Sequence, residues 1–239
     1  MGQEHAAAVF SDLPYNQETP SSNGACDGDE VATEPDENAV ADALAPVFRL
    51  LARYSCDGSL HYLGTDWRHL NAVMKASLRI YPEVKDMCIF PKDKAGAGSL
   101  YRNQYEMILV LKNGRGGASR HIINRRKKAG PRSNLWRYPE PRSSRRDGGD
   151  RCKPVQLVGD ALLDSTDAGD IVLDAFLDSG TTLIAAERTK RVCRGLANNP
   201  RSVDTAIRRW QAFTGQAAHH AVNGRSFSDL CSTLENDQP

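Results

Sequence analysis

The chain has 239 residues and no run of 18 or more apolar ones, which is the length a helix needs to cross a bilayer. Its first 20 residues, MGQEHAAAVFSDLPYNQETP, lack the basic and apolar regions of a secretory signal. Together these absences argue for a cytoplasmic protein. The cysteines Cys26, Cys56, Cys88, Cys152, Cys193 and Cys231 form no CxxC pair and have no nearby histidine cluster, so neither a zinc site nor a disulfide framework is suggested. No GxGxxG follows an apolar run, which argues against a dinucleotide-dependent dehydrogenase. Net charge is also almost absent, at +1.

That small total conceals an uneven distribution. Residues 17–42 are acidic and rich in small polar side chains. Between Lys112 and Lys153 lie Arg115, Arg120, Arg125, Arg126, Lys127, Lys128, Arg132, Arg137, Arg142, Arg145, Arg146 and Arg151, against only Glu140, Asp147 and Asp150. Such a stretch suits a polyanion, although a solvated loop kept soluble by its charge would read the same way.

Along the chain, apolar runs alternate with helical spacing. Ala6 to Phe10 reads as a buried strand stopped by a turn at Asp12, Pro14 and Asn16. Residues 17–38 are too poor in apolar side chains to order themselves and are expected to form a mobile acidic loop. Ala39 to Tyr54 has helical spacing, with Pro46 expected to bend or restart the helix. Ser59 to Gly64 follows the Asp57-Gly58 turn as a strand candidate, and Trp67 to Tyr81 reads as a helix. Val84 to Phe90 and Tyr105 to Leu111 are further strands. After the basic segment, Pro154 to Leu163, Thr182 to Thr189 and Ser202 to Phe213 read as helices, with strands at Ile171 to Asp174 and Val192 to Leu196. This alternation predicts one α/β domain over 1–239, a mixed, mostly parallel sheet with helices on both faces. Residues 115–151 would be a basic insert and 217–239 a flexible tail.

Ligands in open α/β sheets bind beyond the carboxyl ends of strands, and two such turns stand out. At Asp12-Leu13-Pro14-Tyr15, a carboxylate and a backbone carbonyl held by proline could accept both hydrogens of an exocyclic amine. The tyrosine would offer a flat face for an extruded base. At Asp174-Ala175-Phe176-Leu177-Asp178-Ser179-Gly180-Thr181-Thr182, a glycine-containing loop enters a helix with hydroxyl and N–H donors available to a ligand. Taken singly, the first is equally plain turn chemistry and the second an ordinary helix cap.

Their order along the chain is more specific than either motif. VFSDLPYN resembles the catalytic Asp/Asn-Pro-Pro-Tyr motif of DNA amino-methyltransferases. DRCKPVQLV and GDIVLDAFLDSGTTLIAAERT resemble the Lys-Pro motif and the Asp-Pro-Phe-x-Gly-Ser-Gly-Thr-Thr cofactor loop of the same family. VDTAIRRWQAFTG looks like the closing helix of its bacterial and phage branch, often fused to a ParB-like nuclease domain, and DGSLHYLGTDWRHL and GSLYRNQYEMILVLKNG look like that branch's middle strands. Catalytic motif first and cofactor loop last is the permuted β-type order, and the resemblance covers nearly the whole chain apart from 17–38.

The resemblance implies a Rossmann-like, S-adenosylmethionine-dependent fold. It also implies methyl transfer to adenine N6, in preference to cytosine N4, in a flipped base of double-stranded DNA. Asp12 and the backbone at Pro14 would hold the amine, and Tyr15 would stack on the base. Phe10, Asp174, Phe176, Ser179, Gly180, Thr181, Thr182 and Asn198 would line the cofactor pocket, with Lys153 and Pro154 nearby. Arg125, Arg126, Lys127, Lys128, Arg132, Trp136 and Arg137 would meet DNA, although Trp136 and Tyr138 could equally be hydrophobic anchors for that segment. No metal and no membrane are implied, and homodimer formation is left open.

The departures from the family pattern fall on the chemistry. Leu13 replaces the first proline of the catalytic motif, Ala175 a proline, and Asp178 the first glycine of the cofactor loop. Gly195-Leu196-Ala197-Asn198-Asn199-Pro200 stands where the family has an acidic ribose ligand. A Cβ in a loop that needs close backbone approach costs sterically, and a carboxylate there would repel the cofactor's own. Family members also usually have a strand and a Gly-Asp motif upstream of the catalytic strand. Weakened cofactor binding, with the fold and some DNA affinity kept, is the expectation. The runner-up function is an inactive DNA-binding remnant.

Overall fold

A computed structural model of the chain describes residues 2–14, 36–96, 100–116, 132–139 and 152–236. The strands are β1 (Ala6–Asp12), β2 (Ser55–Thr65), β3 (Glu83–Pro91), β4 (Tyr105–Lys112), β5 (Ile171–Asp174) and β6 (Val192–Gly195). The helices are α1 (Glu37–Arg53), α2 (Leu70–Leu78), α3 (Val155–Ser165), α4 (Thr181–Arg188), α5 (Pro200–Thr214) and α6 (Phe227–Asn236). The six strands form one sheet in the order β3-β4-β2-β1-β5-β6. β1 runs parallel to β2 and β5, β5 runs parallel to β6, and β4 is antiparallel to both β2 and β3.

Side chains alternate across the pleat, and apolar runs without polar interruption give the sheet two buried faces. Val9, Leu63, Leu109 and Leu173 meet α1 and α2 through Leu44, Phe48, Leu51 and Val73. Their chain neighbours Phe10, Tyr62, Ile108 and Val172 meet α3 and α4 through Leu157, Leu162, Ala185 and Ala186 on the other face. α1 begins where Asp36 Oδ1 accepts the Asn38 N–H at 2.9 Å, and it runs through Pro46 without the expected restart. Pro46 and Asp42 are both exposed, so the Asp42 carbonyl left without a helical donor faces water instead of core. The Asp57-Gly58 turn expected ahead of β2 is an irregularity inside it, across which the register against β1 shifts from Ala6↔Ser55 to Ala8↔Leu60.

The basic insert is pinned within its length. Ile89 N–H donates to the Asn134 carbonyl at 2.8 Å and Trp136 N–H to the Ile89 carbonyl at 2.7 Å, adding a short parallel bridge beside β3. The expected tail carries a helix: His219 pairs with Ser226, and α6 follows. Most of the expected acidic loop, 17–35 of 17–38, lies outside the described residues. Among the described residues no helix is long and apolar enough to cross a membrane.

Phe10, expected beside the cofactor, belongs to the core. It is 2% exposed and stacks on Tyr62 at 6.0 Å, because it lies two residues short of the strand end, where α3 covers that face of the sheet. Phe10→Ala is expected to lower the unfolding free energy by about 3–5 kcal/mol. Phe10→Leu, which keeps most of the volume, should cost under about 1.5 kcal/mol; urea denaturation of both variants measures the pair.

Candidate active site

β1, β2 and β5 run parallel, so their carboxyl ends open on one edge of the sheet, and β1 delivers Asp12 there. Asp12 shares its face of the strand with Phe10, and Lys153, the residue ahead of the α3 N-cap Pro154, comes up from that face. Lys153 Nζ donates to Asp12 Oδ2 at 2.5 Å and to Glu106 Oε2 at 2.8 Å, and Lys92 Nζ meets Glu106 Oε1 at 2.5 Å. The Lys153 side chain is 4% exposed while the Asp12 side chain is 47% exposed. The ammonium is thus buried beneath a carboxylate that solvent can reach.

Desolvation alone would expel the proton from Lys153, but the carboxylates of Asp12 and Glu106 outweigh it and hold the ammonium protonated well above its ordinary range. Burial would likewise raise Glu106, yet Lys153 and Lys92 hold it down to about 2. Asp12 lies above the usual carboxylate range: desolvation of the oxygens packed against Lys153 and Gly64 raises it, the Lys153 ammonium pulls it down and Glu106 pushes it up.

Gly64, paired with Asp12 across β1 and β2, makes room for this arrangement. A Cβ on Gly64 would lie 2.3 Å from Asp12 Oδ1, closer than real Cβ contacts come, and 3.1 Å from Lys153 Nζ, a tight approach.

The second turn is tied to the first. Ser11 Oγ donates to Asp174 Oδ1 at 2.9 Å and accepts the Ala175 N–H at 3.0 Å. The Phe176 N–H reaches the same Asp174 oxygen at 3.0 Å. Burial pushes the Asp174 carboxyl up to about 6, against hydrogen bonds from Thr182, Phe176 and Ser11 that lower it. Leu177 N–H donates to the Leu196 carbonyl at 2.9 Å and Leu196 N–H to the Asp174 carbonyl at 2.8 Å, so the loop is laced to the end of β6. Gly180, at φ 83°, admits α5 at close range: a Cβ there would stand 2.8 Å from Ala206 Cβ. Arg209 of α5 donates to the Ser179 carbonyl at 2.6 Å, and the Ser179 hydroxyl meets Cys152 Sγ at 3.0 Å.

Next to this loop, at the ends of β5 and β6, lies an apolar cleft of about 1190 Å³ whose walls include Leu50, Tyr54, Phe176, Leu196, Val203 and Leu230. Phe176 alone of the expected cofactor residues lines it. Asp174, Ser179, Thr181 and Thr182 are buried behind the loop, where they set its path. Asn198 is exposed beyond β6, and Asn199 caps α5 by accepting the Arg201 N–H at 3.0 Å. Asp178 has φ 42°, the left-handed region that disfavours a Cβ. Its carboxylate accepts from Ser202 Oγ at 2.9 Å, turned toward the first turn of α5, where a helix favours negative charge.

The residues expected at DNA divide. Trp136 is a correction: it is 6% exposed and packs on Tyr62 at 6.3 Å, because the Ile89 pairing turns it into the core. Arg132 is likewise occupied, lying over Trp136 at 5.2 Å and bonded to Asp164 at 2.5 Å, a partner that the charge pattern could not reveal. Arg137 is exposed. Pro14 is exposed directly beyond Asp12. Tyr15, Arg125, Arg126, Lys127 and Lys128 lie outside the described residues. Sequence reasoning missed Glu106, Lys92, Gly64, Ser11 and Arg209. A carboxylate within the most apolar strand, at Glu106, was the one signal available.

The DNA methylase family model for N6 and N4 enzymes matches residues 6–208, and the chain belongs to that family. Type II methyltransferase M.Cfr9I of Citrobacter freundii is 40% identical over 58 residues, a match spanning 24% of this chain and 19% of that protein. Among solved structures, the M1.HpyAVI–SAM complex superposes with a TM-score of 0.66 at 16% identity, over 87% of this chain and 90% of that one. The cytosine-N4-specific PvuII DNA methyltransferase gives 0.69 at 11% identity, over 98% and 87% respectively. At these identities the likeness is one of fold.

Two outcomes follow from the cofactor loop. Asp174 is raised from 3.8 to about 6 on folding, so its protonated form stabilises the fold fully below pH 3.8, and that stabilisation is lost as pH rises through about 6. The stability of Asp174→Asn relative to the unmodified chain should therefore increase between those pH values and then level off, as read by urea denaturation at closely spaced pH. Asp178→Gly removes the left-handed Cβ and should raise stability by about 1 kcal/mol, less whatever the exposed Ser202 bond contributes; thermal unfolding measures it.

Proposed function

We propose that the chain transfers a methyl group from S-adenosylmethionine to an exocyclic amine of a base flipped out of double-stranded DNA, adenine N6 in preference to cytosine N4. One observation carries this reading: an accessible carboxylate, Asp12, stands at the end of β1 on a buried ammonium, joined through Ser11 to the loop that borders the apolar cleft. The catalytic strand comes first along the chain and the cofactor loop last, which supports the permuted β-type order.

The cleft fits the cofactor. Its volume, about 1190 Å³, is somewhat above the usual range of about 300–1,000 Å³ for small-molecule sites and leaves ample room, its lining suits an adenine ring, and the one acidic side chain of the adjoining loop that could oppose a carboxylate, Asp178, is turned toward Ser202. Phe176 and Leu196 would hold the adenosine. When bound, the cofactor supplies an electrophilic methyl on a sulfonium. Asp12 accepts a hydrogen bond from the amine and, with the backbone at Pro14, directs the nitrogen lone pair; transfer would leave the cofactor as a neutral thioether, and the proton shed by the methylated nitrogen would pass by way of Asp12 to solvent. The reaction is then mainly one of positioning. Tyr15 would stack on the base. Exposed Arg137, with Arg125, Arg126, Lys127 and Lys128, would neutralise phosphates, and Arg132 and Trp136 would fix the segment that carries them.

A second reading, a DNA-binding relative without transfer, is favoured by one feature. Leu196-Ala197-Asn198 follows β6 with no carboxylate for the ribose hydroxyls, and a neutral amide bonds a hydroxyl more weakly than a charged group does.

Transfer of radiolabelled methyl to mixed-sequence duplex DNA separates the two. Incorporation by the unmodified chain, reduced at least about 100-fold in Asp12→Ala, is the expected result. Filter retention of DNA without incorporation would establish the second reading.

A further inference from the structure

The four charged side chains at the end of β1 are a built arrangement that methyl transfer as set out above uses only in part. Asp12 is gripped from two sides. On one, Lys153 binds Oδ2 and is itself seated on Glu106 of β4, whose other oxygen is taken by Lys92 at the end of the β3–β4 pair. On the other, Oδ1 rests over the bare backbone of Gly64, in space that any side chain would fill.

An ammonium on a flexible stem has no preferred direction of its own. With Asp12 its only anchor, it would move with that carboxylate. Glu106 supplies the second anchor, and Lys92 fixes Glu106 in turn.

We propose that Glu106, seconded by Lys92 and Gly64, is a positioning residue that locks the Asp12 carboxylate in the orientation that receives the target amine. The role in transfer rests on the function argued above; the lock itself does not. Glu106 acts through Lys153 and does not touch the amine. The same geometry gives Asp12 a second neighbour of like charge, so neutralising Glu106 removes one of the influences that raise the Asp12 carboxyl, whose other charged neighbours are Lys153, Lys92 and, through its own shift, Asp174.

The test compares the unmodified chain with Glu106→Gln, which keeps shape and removes charge, and with Gly64→Ala, which attacks the other side. Methyl incorporation gives kcat and KM, calorimetry gives S-adenosylmethionine affinity, carbon-detected NMR gives the Asp12 titration midpoint, and thermal unfolding verifies that each variant is folded. The expected result is a loss of about 10- to 100-fold in kcat for both variants, with KM for DNA and cofactor affinity within about twofold and the Asp12 midpoint lowered in Glu106→Gln. Rates within about twofold of the unmodified chain, or a loss confined to cofactor affinity, would overturn the proposal. If the unmodified chain transfers no methyl, the function itself fails and the mobility of the Asp12 carboxylate, read by side-chain carbon relaxation, decides the lock: raised in Glu106→Gln and in Gly64→Ala it stands, unchanged it falls.

Discussion

The site depends on one buried ammonium. Lys153 arrives from the segment leading into α3, yet its two anions belong to β1 and β4, which β2 separates in the sheet. A charge in this position is costly without a partner, and two carboxylates share it, so that removal of one leaves the other to compensate the ammonium alone. The requirement ties together three parts of the chain far apart in sequence, and it ties the outer, antiparallel half of the sheet to the inner, parallel half. Gly64 lies between them and owes its lack of a side chain to the same arrangement.

Much of the fold was legible because it rests on periodicity. Strands such as Tyr105 to Leu111 and helices such as Ser202 to Phe213 were recognisable from apolar spacing, and their boundaries moved by only a few residues. Failures came where tertiary contacts decide. Phe10 is expected at the cofactor through the motif it belongs to, but, on the same face of β1 as Asp12 and two residues further in, it is covered by α3. Trp136 and Arg132 look like a nucleic-acid surface by composition, and are instead held by Ile89, Tyr62 and Asp164. Pro46 carries a helix-breaking signal that has little effect on a solvent-facing turn. In the site, Asp12 and the β5 loop were visible as motifs, whereas Lys92, Glu106 and Ser11 become partners only once the strands are ordered, and no local pattern announces them.

The two turns play unequal parts. The β5 loop is chiefly scaffold: Asp174, Ser179, Thr181 and Thr182 are buried and consumed in holding the backbone, and Gly180 serves the approach of α5. What the loop offers outward is the ring of Phe176 and a cleft whose walls come from α1, β6, α5 and α6. The left-handed Asp178 fits this division, because its cost is borne in the backbone while its charge is spent on α5.

The pairing of Ile89 with Asn134 and Trp136 fixes residues 132–139, in the middle of the long basic stretch, against the edge of the sheet. Whatever residues 132–139 meet is therefore held in fixed relation to the edge of the sheet and to the α3 face, because Asn134 and Trp136 tie that segment to β3 and Arg132 ties it to α3.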